Sequence, residues 1–335
     1  MLQIIKSFLS DRSQSTIVGD SLSDSLFMTS GVPQGSVLGP VLFVIYINDI
    51  VDIFSHCTPS LFADDLKLFI RVTNIDDFSI LQDDLFALLE WSNSWQLCIA
   101  YKKCSVLSLG KIVPLTNFSI DSEVIPLCCS ITDLGVTLDN KLNFSLHINS
   151  IVKVAHARAN LIFRCFISKD VDCLSRAFIT YVRPILEYCS PVWSPSTSTA
   201  INQIEAVQRR FSKRLSGLEN CNYFERLVVL GWETLENRRL YADLVLCYKI
   251  IHGLVSINPD SIFILNNSSF NTRGHKFKLG IQHSNCNLRH NFFSIRIVPI
   301  WNELPAHVVE AVNLLMFKSL IKTCDFSKYC IVDLF

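Results

Sequence analysis

The chain has 335 residues, half of them hydrophobic and only 18% charged, with 30 basic and 30 acidic side chains. A chain this long and apolar buries a sizeable core, which excludes global disorder, and 11 glycines and 11 prolines exclude collagen-like or low-complexity structure. The zero net charge hides an asymmetry: residues 1–130 hold 7 Lys and Arg against 14 Asp and Glu, residues 131–335 hold 23 against 16, which reads equally as ordinary compositional drift or as a cation-binding half before a half suited to a polyanion.

In chain order, Leu2–Leu9 reads as the end of a helix. Ser15–Met28 reads as two short strands around Gly19-Asp20. A loop rich in glycine and proline, Ser30–Ser36, precedes an apolar helix over Val37–Phe54. Its apolar run, Val37–Ile47, is broken by Gly39 and Pro40 and falls short of the ~20 residues that a bilayer span needs. Leu61–Arg71 reads as strand, acidic turn, strand. Asp76–Trp95 is an amphipathic helix with Phe78, Leu81, Leu85, Leu88 and Leu89 near one face. Short strands are expected at Ser105–Leu109, Asn117–Ile120 and Asp133–Leu138.

After Asn140 helical periodicity takes over. Helices are expected over Phe144–Phe166, Asp170–Tyr188 (interrupted at Pro184), Ser198–Leu215, Tyr223–Leu230 and Thr234–Leu254. Two more follow around Phe292–Leu304 and Asn313–Thr323. Domain boundaries are expected near 140 and, more softly, in the Asn- and Ser-rich stretch from Ile257 to Asn271. The N-terminus has no signal-peptide pattern. Thirteen cysteines, odd in number and without a C-x-x-C pair, fit a reducing nuclear or cytoplasmic compartment better than a disulfide framework.

Two patterns carry chemistry. In Leu61-Phe62-Ala63-Asp64-Asp65-Leu66-Lys67-Leu68-Phe69, adjacent acids stand at the turn of an apolar hairpin. Two carboxylates aimed into one cleft repel unless cations offset them. Mg²⁺ suits such a pair, being satisfied by one or two carboxylates plus phosphate oxygens. On these residues alone a solvated turn accounts for the acids equally well. In Gly31–Pro40, a glycine-rich loop opens a helix and offers N–H groups to an anion such as a triphosphate, although many ordinary turns also precede helices.

The order and spacing of these patterns resemble the reverse transcriptases of non-LTR retrotransposons, LINE elements of the jockey and chicken-repeat kind. SGVPQGSVLGPVLFVIYINDI (Ser30–Ile50) looks like motif B and LFADDLKLF like motif C. WSNSWQLCIAYKKCSVLSLG (Trp91–Gly110) is similar to motif D, with Lys103 at its lysine but Ala100 where asparagine is usual. DLGVTLDNKLNFSLHI (Asp133–Ile148) resembles the start of the region after the palm. ITYVRPILEYCSPVWSP, IEAVQRRFSKRL, RRLYADLVLCYKIIHGLV, TRGH and FFSIRIVPIWNELPAHVV resemble the family's C-terminal blocks. Nine such blocks in order are far more specific than one.

The resemblance implies an α+β fold: a partial right-hand polymerase palm, motifs B to E, in residues 1–140, a helical thumb in 141–256 and an α-rich C-terminal extension in 257–335. It implies that Asp64 is the principal metal ligand and Asp65 its weaker companion. Pro33, Gln34 and Gly35 would lie beside nucleotide and template, and Lys103 near the departing pyrophosphate. The cofactor would be Mg²⁺, two ions in the intact enzyme, with Mn²⁺ as an alternative. The partners would be an RNA template, a DNA primer and dNTP.

SFLSDRSQ (Ser7–Gln14) matches a block downstream of motif A, so the motif A aspartate is expected to be missing. Asp11, Asp20 and Asp24 do not stand in for it. The alternatives to a polymerase fragment are a non-catalytic nucleic-acid-binding module and a decayed element product without function. Arg209, Arg210, Lys213 and Arg214 form a basic cluster at helical spacing, read either as a phosphate-tracking face or as an ordinary solvated one. Trp193 and Trp301 read as core or lid aromatics rather than base-stacking ones. His275, His283, Cys286 and His290 match no standard zinc spacing.

Overall fold

The computed structural model describes residues 2–110, 117–265 and 274–332. It is 51% helical and 13% strand, in line with an α+β chain. Two compact units part between Cys128 and Cys129. The hairpin over 130–139, assigned to the palm on sequence, is part of the second unit.

In the first unit, α1 (Leu2–Leu9) forms where it is expected. The strands around Gly19-Asp20 are the inner half of a nested ribbon: Ile17–Val18 pairs Ser21–Leu22, and Ser13–Gln14 pairs Leu26–Phe27 outside it. Helix α2 (Gly39–Ile47) begins two residues later than the apolar run suggests. Ser36 explains the delay: its hydroxyl donates to the Pro33 carbonyl (2.7 Å) and accepts the Gly39 N–H (3.1 Å), so the loop closes on itself before the helix opens. Pro40 lacks an N–H and is tolerated only in that first turn. From Asn48 to Ile53 the helix tightens to a 3-10 turn.

Strands β1 (Thr58–Phe62) and β2 (Asp65–Phe69) pair antiparallel and end the unit's central hairpin at Ala63-Asp64. Helix α3 (Asp77–Ser94) buries Phe78, Leu85, Leu88 and Trp91 against Ile47, Ile50 and the small hairpin β3 (Phe118–Ile120)–β4 (Glu123–Ile125). Leu61, Leu66 and Leu68 of the central hairpin pack on this core.

The second unit starts with β5 (Ser130–Asp133) and β6 (Val136–Asp139), a hairpin where the sequence suggests one strand. Its turn, Leu134-Gly135, has positive φ at both residues (44° and 83°), the geometry of the tightest hairpins but with leucine in place of the usual Asn or Asp. The Tyr188 hydroxyl donates to the Leu134 carbonyl (3.0 Å) and holds that turn. Next come α4 (Ser145–Cys165) and α5 (Val171–Tyr181). Pro184 interrupts as expected, and two short helices, Arg183–Glu187 and Ser190–Trp193, follow.

Helix α6 (Ser198–Ser212) is capped by Thr197, and α7 (Tyr223–Leu230) by a reciprocal Asn222–Glu225 box and Gly231. Helix α8 (Leu235–Ile251) is shared between two hydrophobic clusters. Leu235 lies in the cluster built on α4 to α7, with Phe178, Trp193 and Phe211. Leu244, Cys247, Tyr248 and Ile250 lie in the other, with α9 (Phe293–Glu303) and α10 (Leu314–Leu320). Val332 returns to the first cluster, its N–H donating to Glu236 (2.8 Å). The Thr272 and Arg273 part of the TRGH block lies outside the described residues. No described helix is long and apolar enough to cross a membrane.

Candidate functional site

The hairpin β1–β2 presents the two acids at its tip. Phe62 pairs with Asp65, leaving Ala63 and Asp64 as a two-residue loop. Leu61 and its partner Leu66 face the core, while Phe62 and Asp65 share the outer face, and both carboxylates are exposed. Ala63 has φ 50°, a left-handed conformation that costs an alanine ~1–2 kcal/mol. The strain lies one residue before Asp64, where it aims the turn.

Among the described residues, no group of three or more His, Cys, Asp or Glu side chains could hold a metal ion. The hairpin therefore offers two hard oxygen ligands, which fit Mg²⁺ as part of a set completed by phosphate oxygens and a further acid. His275, His283, Cys286 and His290 form no such group among the described residues. His275 is buried, with its Nε2 3.1 Å from the Trp301 carbonyl.

The loop Pro33-Gln34-Gly35 lies in the same unit. Pro33 is half-buried, while Gln34 and Gly35 stand exposed in a turn. Gly35 has φ 79°, which only glycine adopts without strain. Arg12 ties the loop's start to α1: its Nε donates to the Leu9 carbonyl (3.0 Å) and its Nη2 to the Gly31 carbonyl (2.5 Å). Lys103 is exposed at the end of a 3-10 turn, Tyr101–Lys103.

One residue of this unit escapes the sequence reading. Asp84 belongs by spacing to the stripe of Leu81, Leu85 and Leu88, so it faces the core, and only 2% of it is exposed. An acid on the apolar stripe was the available signal.

In the second unit the basic cluster divides. Arg209 turns inward, its guanidinium 4.8 Å from the Tyr223 ring centre. Arg210 and Arg214 border α4, and Lys213 is exposed at the end of α6. The Gln203 amide donates to Asn149 (2.7 Å) and Arg214 to Asn160 (2.8 Å), a constant offset of 54 residues, so α4 and α6 run parallel. Between these rungs Arg210 lies beside His156, whose pKa burial and that positive charge hold below the usual value. Arg214 also covers the Phe163 ring at 3.9 Å.

At helical spacing Lys153 and Arg164 extend the α4 side of this seam. Helix α4 contains no acid, and the one acid of α6, Glu205, is fully buried. Elsewhere in the unit three arginines are matched by carboxylates, Arg183 and Arg238 by Glu187 and Arg296 by Asp243. Along α4 and α6 the exposed positive charges have no exposed carboxylate on either helix. Trp193 and Trp301 are fully buried and belong to the core.

Behind α6 lies a buried polar cluster that the sequence did not announce. Glu205 accepts from the Tyr223 hydroxyl and the Leu235 N–H (3.0 Å). Burial pushes its carboxyl above the usual range, against the pull of Tyr223 and Arg239. Gln208 donates to the Tyr223 hydroxyl (3.0 Å) and the Glu233 carbonyl (2.9 Å).

Residues 1–143 match the family model for reverse transcriptase (RNA-dependent DNA polymerase). The chain is 27% identical over 237 residues to the probable RNA-directed DNA polymerase from transposon X-element of Drosophila melanogaster, covering 68% of this chain and 26% of that protein. It is 28% identical over 229 residues to the RNA-directed DNA polymerase from mobile element jockey of Drosophila funebris, covering 65% of this chain and 25% of the relative. The chain thus spans about a quarter of the length of these curated relatives. No solved structure matches it. Motif order, the family match over residues 1–143 and these relatives agree: the chain is similar to the RNA-directed DNA polymerases of non-LTR retrotransposons.

Proposed function

We propose that the chain is the part of a retrotransposon RNA-directed DNA polymerase that carries its carboxylate hairpin and, downstream, a helical track for the nucleic-acid backbone. The observation that supports this most directly is the exposed Asp64-Asp65 pair at the tip of a hairpin whose other face is packed. Asp64 would hold the metal centre and Asp65 assist it. Mg²⁺, or Mn²⁺ in its place, would acidify the primer 3′-hydroxyl and neutralise the triphosphate. Gln34 would line the nucleotide and template side, and Lys103 would offer a cation or proton to the departing pyrophosphate. Residues 1–140 act as a partial palm, 141–256 as thumb and 257–335 as its extension.

Two acids do not complete the metal centre, so the 335-residue chain is expected to extend no primer by itself. Poly(rA)/oligo(dT) with dTTP and Mg²⁺ or Mn²⁺ tests this. Incorporation above an Asp64→Ala control would show that two carboxylates suffice.

A second reading, a nucleic-acid-binding module without catalysis, is favoured by one separate observation: the α4–α6 seam, which bears Lys153, His156, Arg164, Arg210, Lys213 and Arg214 and exposes no carboxylate. Both readings place RNA, or an RNA–DNA hybrid, on that seam.

A further inference from the structure

We infer that Asp84 is the positioning residue of the carboxylate hairpin, fixing where β1 begins and hence where Asp64 and Asp65 stand at its far end. The inference rests on the reading of that hairpin as a metal-binding element.

Asp84 is the one buried charged side chain among the described residues of the first unit. Among the described residues no basic side chain is paired with it. Instead three successive backbone N–H groups donate to it: Ser55 to Oδ1 at 3.1 Å, His56 to Oδ2 at 3.2 Å and Cys57 to Oδ2 at 2.6 Å. Burial works to raise the carboxyl's pKa, but these donors and the Cys57 thiol together hold it below the usual range. The Cys57 thiol is in turn pushed up to about 12 by burial and by Asp84, so it stays a protonated donor.

Residues 55–57 link the end of the 3-10 turn to the first residue of β1. Without the carboxylate, three adjacent N–H groups would have to find other acceptors where the chain enters the core. The hairpin is a two-stranded sheet of its own among the described residues, and such a ribbon holds its place weakly unless it is packed and anchored. The leucines of β1 and β2 supply the packing, and Asp84 supplies the anchor. Five strand residues then carry that fixed start to the turn. Because the folded-state pKa is lowered, the anchor is complete above about pH 4 and is lost as pH falls through the lowered value.

The test is Mn²⁺ binding to the whole chain, read by the loss of free-ion electron paramagnetic resonance signal. Asp64→Ala should abolish the tightest binding; if it does not, the metal reading of the hairpin fails, and this proposal with it. Asp84→Asn keeps one acceptor oxygen and replaces the other with an NH₂ group, which cannot accept from the backbone N–H groups it would face. It should weaken Mn²⁺ binding by roughly fivefold or more. Leu88→Ala, a core truncation on the same helix, should leave Mn²⁺ affinity at the parent value. An Asp84→Asn chain that folds and binds Mn²⁺ like the parent would overturn the proposal and leave the metal reading standing.

Should Asp84→Asn not fold, coupling is read in the parent chain. Linkage is reciprocal, so Mn²⁺ at the tip should slow hydrogen exchange at Ser55, His56 and Cys57 as well as at 63–65. Unchanged exchange at 55–57 would refute the positioning role.

Discussion

Replacing Arg210, Lys213 and Arg214 together by alanine is expected to weaken binding of RNA and of RNA–DNA hybrid alike, and to flatten the salt dependence. Each phosphate neutralised by Lys or Arg releases condensed counterions, so log K falls by ~0.7–0.9 per contact for each decade of salt. Three lost contacts should lower the slope by about 2 to 2.7. Binding isotherms of the whole chain and the variant at three salt concentrations measure it. Arg209→Ala is the internal control. Its guanidinium lies over Tyr223, behind the seam, and its backbone carbonyl accepts from Arg226 (3.3 Å). That variant should lose some stability and keep the parent slope. Lys153→Ala together with Arg164→Ala, across the seam on α4, should lower the slope by about 1.4 to 1.8. Equal slopes for the parent and the triple variant would reduce the seam to a solvated surface.

The division of the basic cluster shows what a sequence conceals. Four basic residues at i,i+1 and i,i+4 spacings look equivalent on one helix. Arg209 stands about 100° round the helix from Arg210, and it takes a partner helix, α7 with Tyr223, to make one side inner and the other outer. The α4 half of the seam was less legible still. Lys153, His156, Asn160 and Arg164 are separated from α6 by some 50 residues of chain, and their alignment appears only once the parallel packing of α4 and α6 is known.

Local signals, by contrast, were read well. The expected helix starts at Asp170 and Thr234 are side-chain caps in the structure, those at Ser198 and Tyr223 directly follow the caps Thr197 and Asn222, and Pro184 breaks its helix. Errors arose where tertiary contacts override local preference. Pro59 and Ser60 hid the first three residues of β1, because proline is tolerated there only by an unpaired strand edge. Leu134 hid a hairpin turn that Tyr188 holds from 54 residues away. At the candidate metal site, the acids and their turn were legible from LFADDLKLF. The anchor at Asp84 showed only as an acid on the apolar stripe of α3, since its three partners are backbone groups with no signature in the side chains.

The largest loss of stability is expected where the two clusters of the second unit meet, on α8. Asp243 is buried and takes a two-pronged bond from Arg296 of α9, Nε to Oδ2 at 2.9 Å and Nη2 to Oδ1 at 3.0 Å. Arg296 also donates to the carbonyls of Pro191 (2.8 Å) and Asn291 (2.9 Å), so one guanidinium fastens α8, α9 and the short helix before α6. Arg239, one turn back on α8, is buried beside the same acid, with Glu205 and Glu236 also near. Arg296→Ala would leave the Asp243 carboxylate in the interior without its main partner and free two carbonyls. Removing one member of a buried ion pair costs ~3–5 kcal/mol, whereas replacing both members by apolar side chains of similar volume is often close to neutral. Arg296→Ala should therefore lower the urea midpoint far more than Arg296→Met combined with Asp243→Leu. The double variant should recover most of the loss, less the two carbonyl bonds. Equal destabilisation by the single and the double variant would mean that packing, not the buried charge, joins the two clusters.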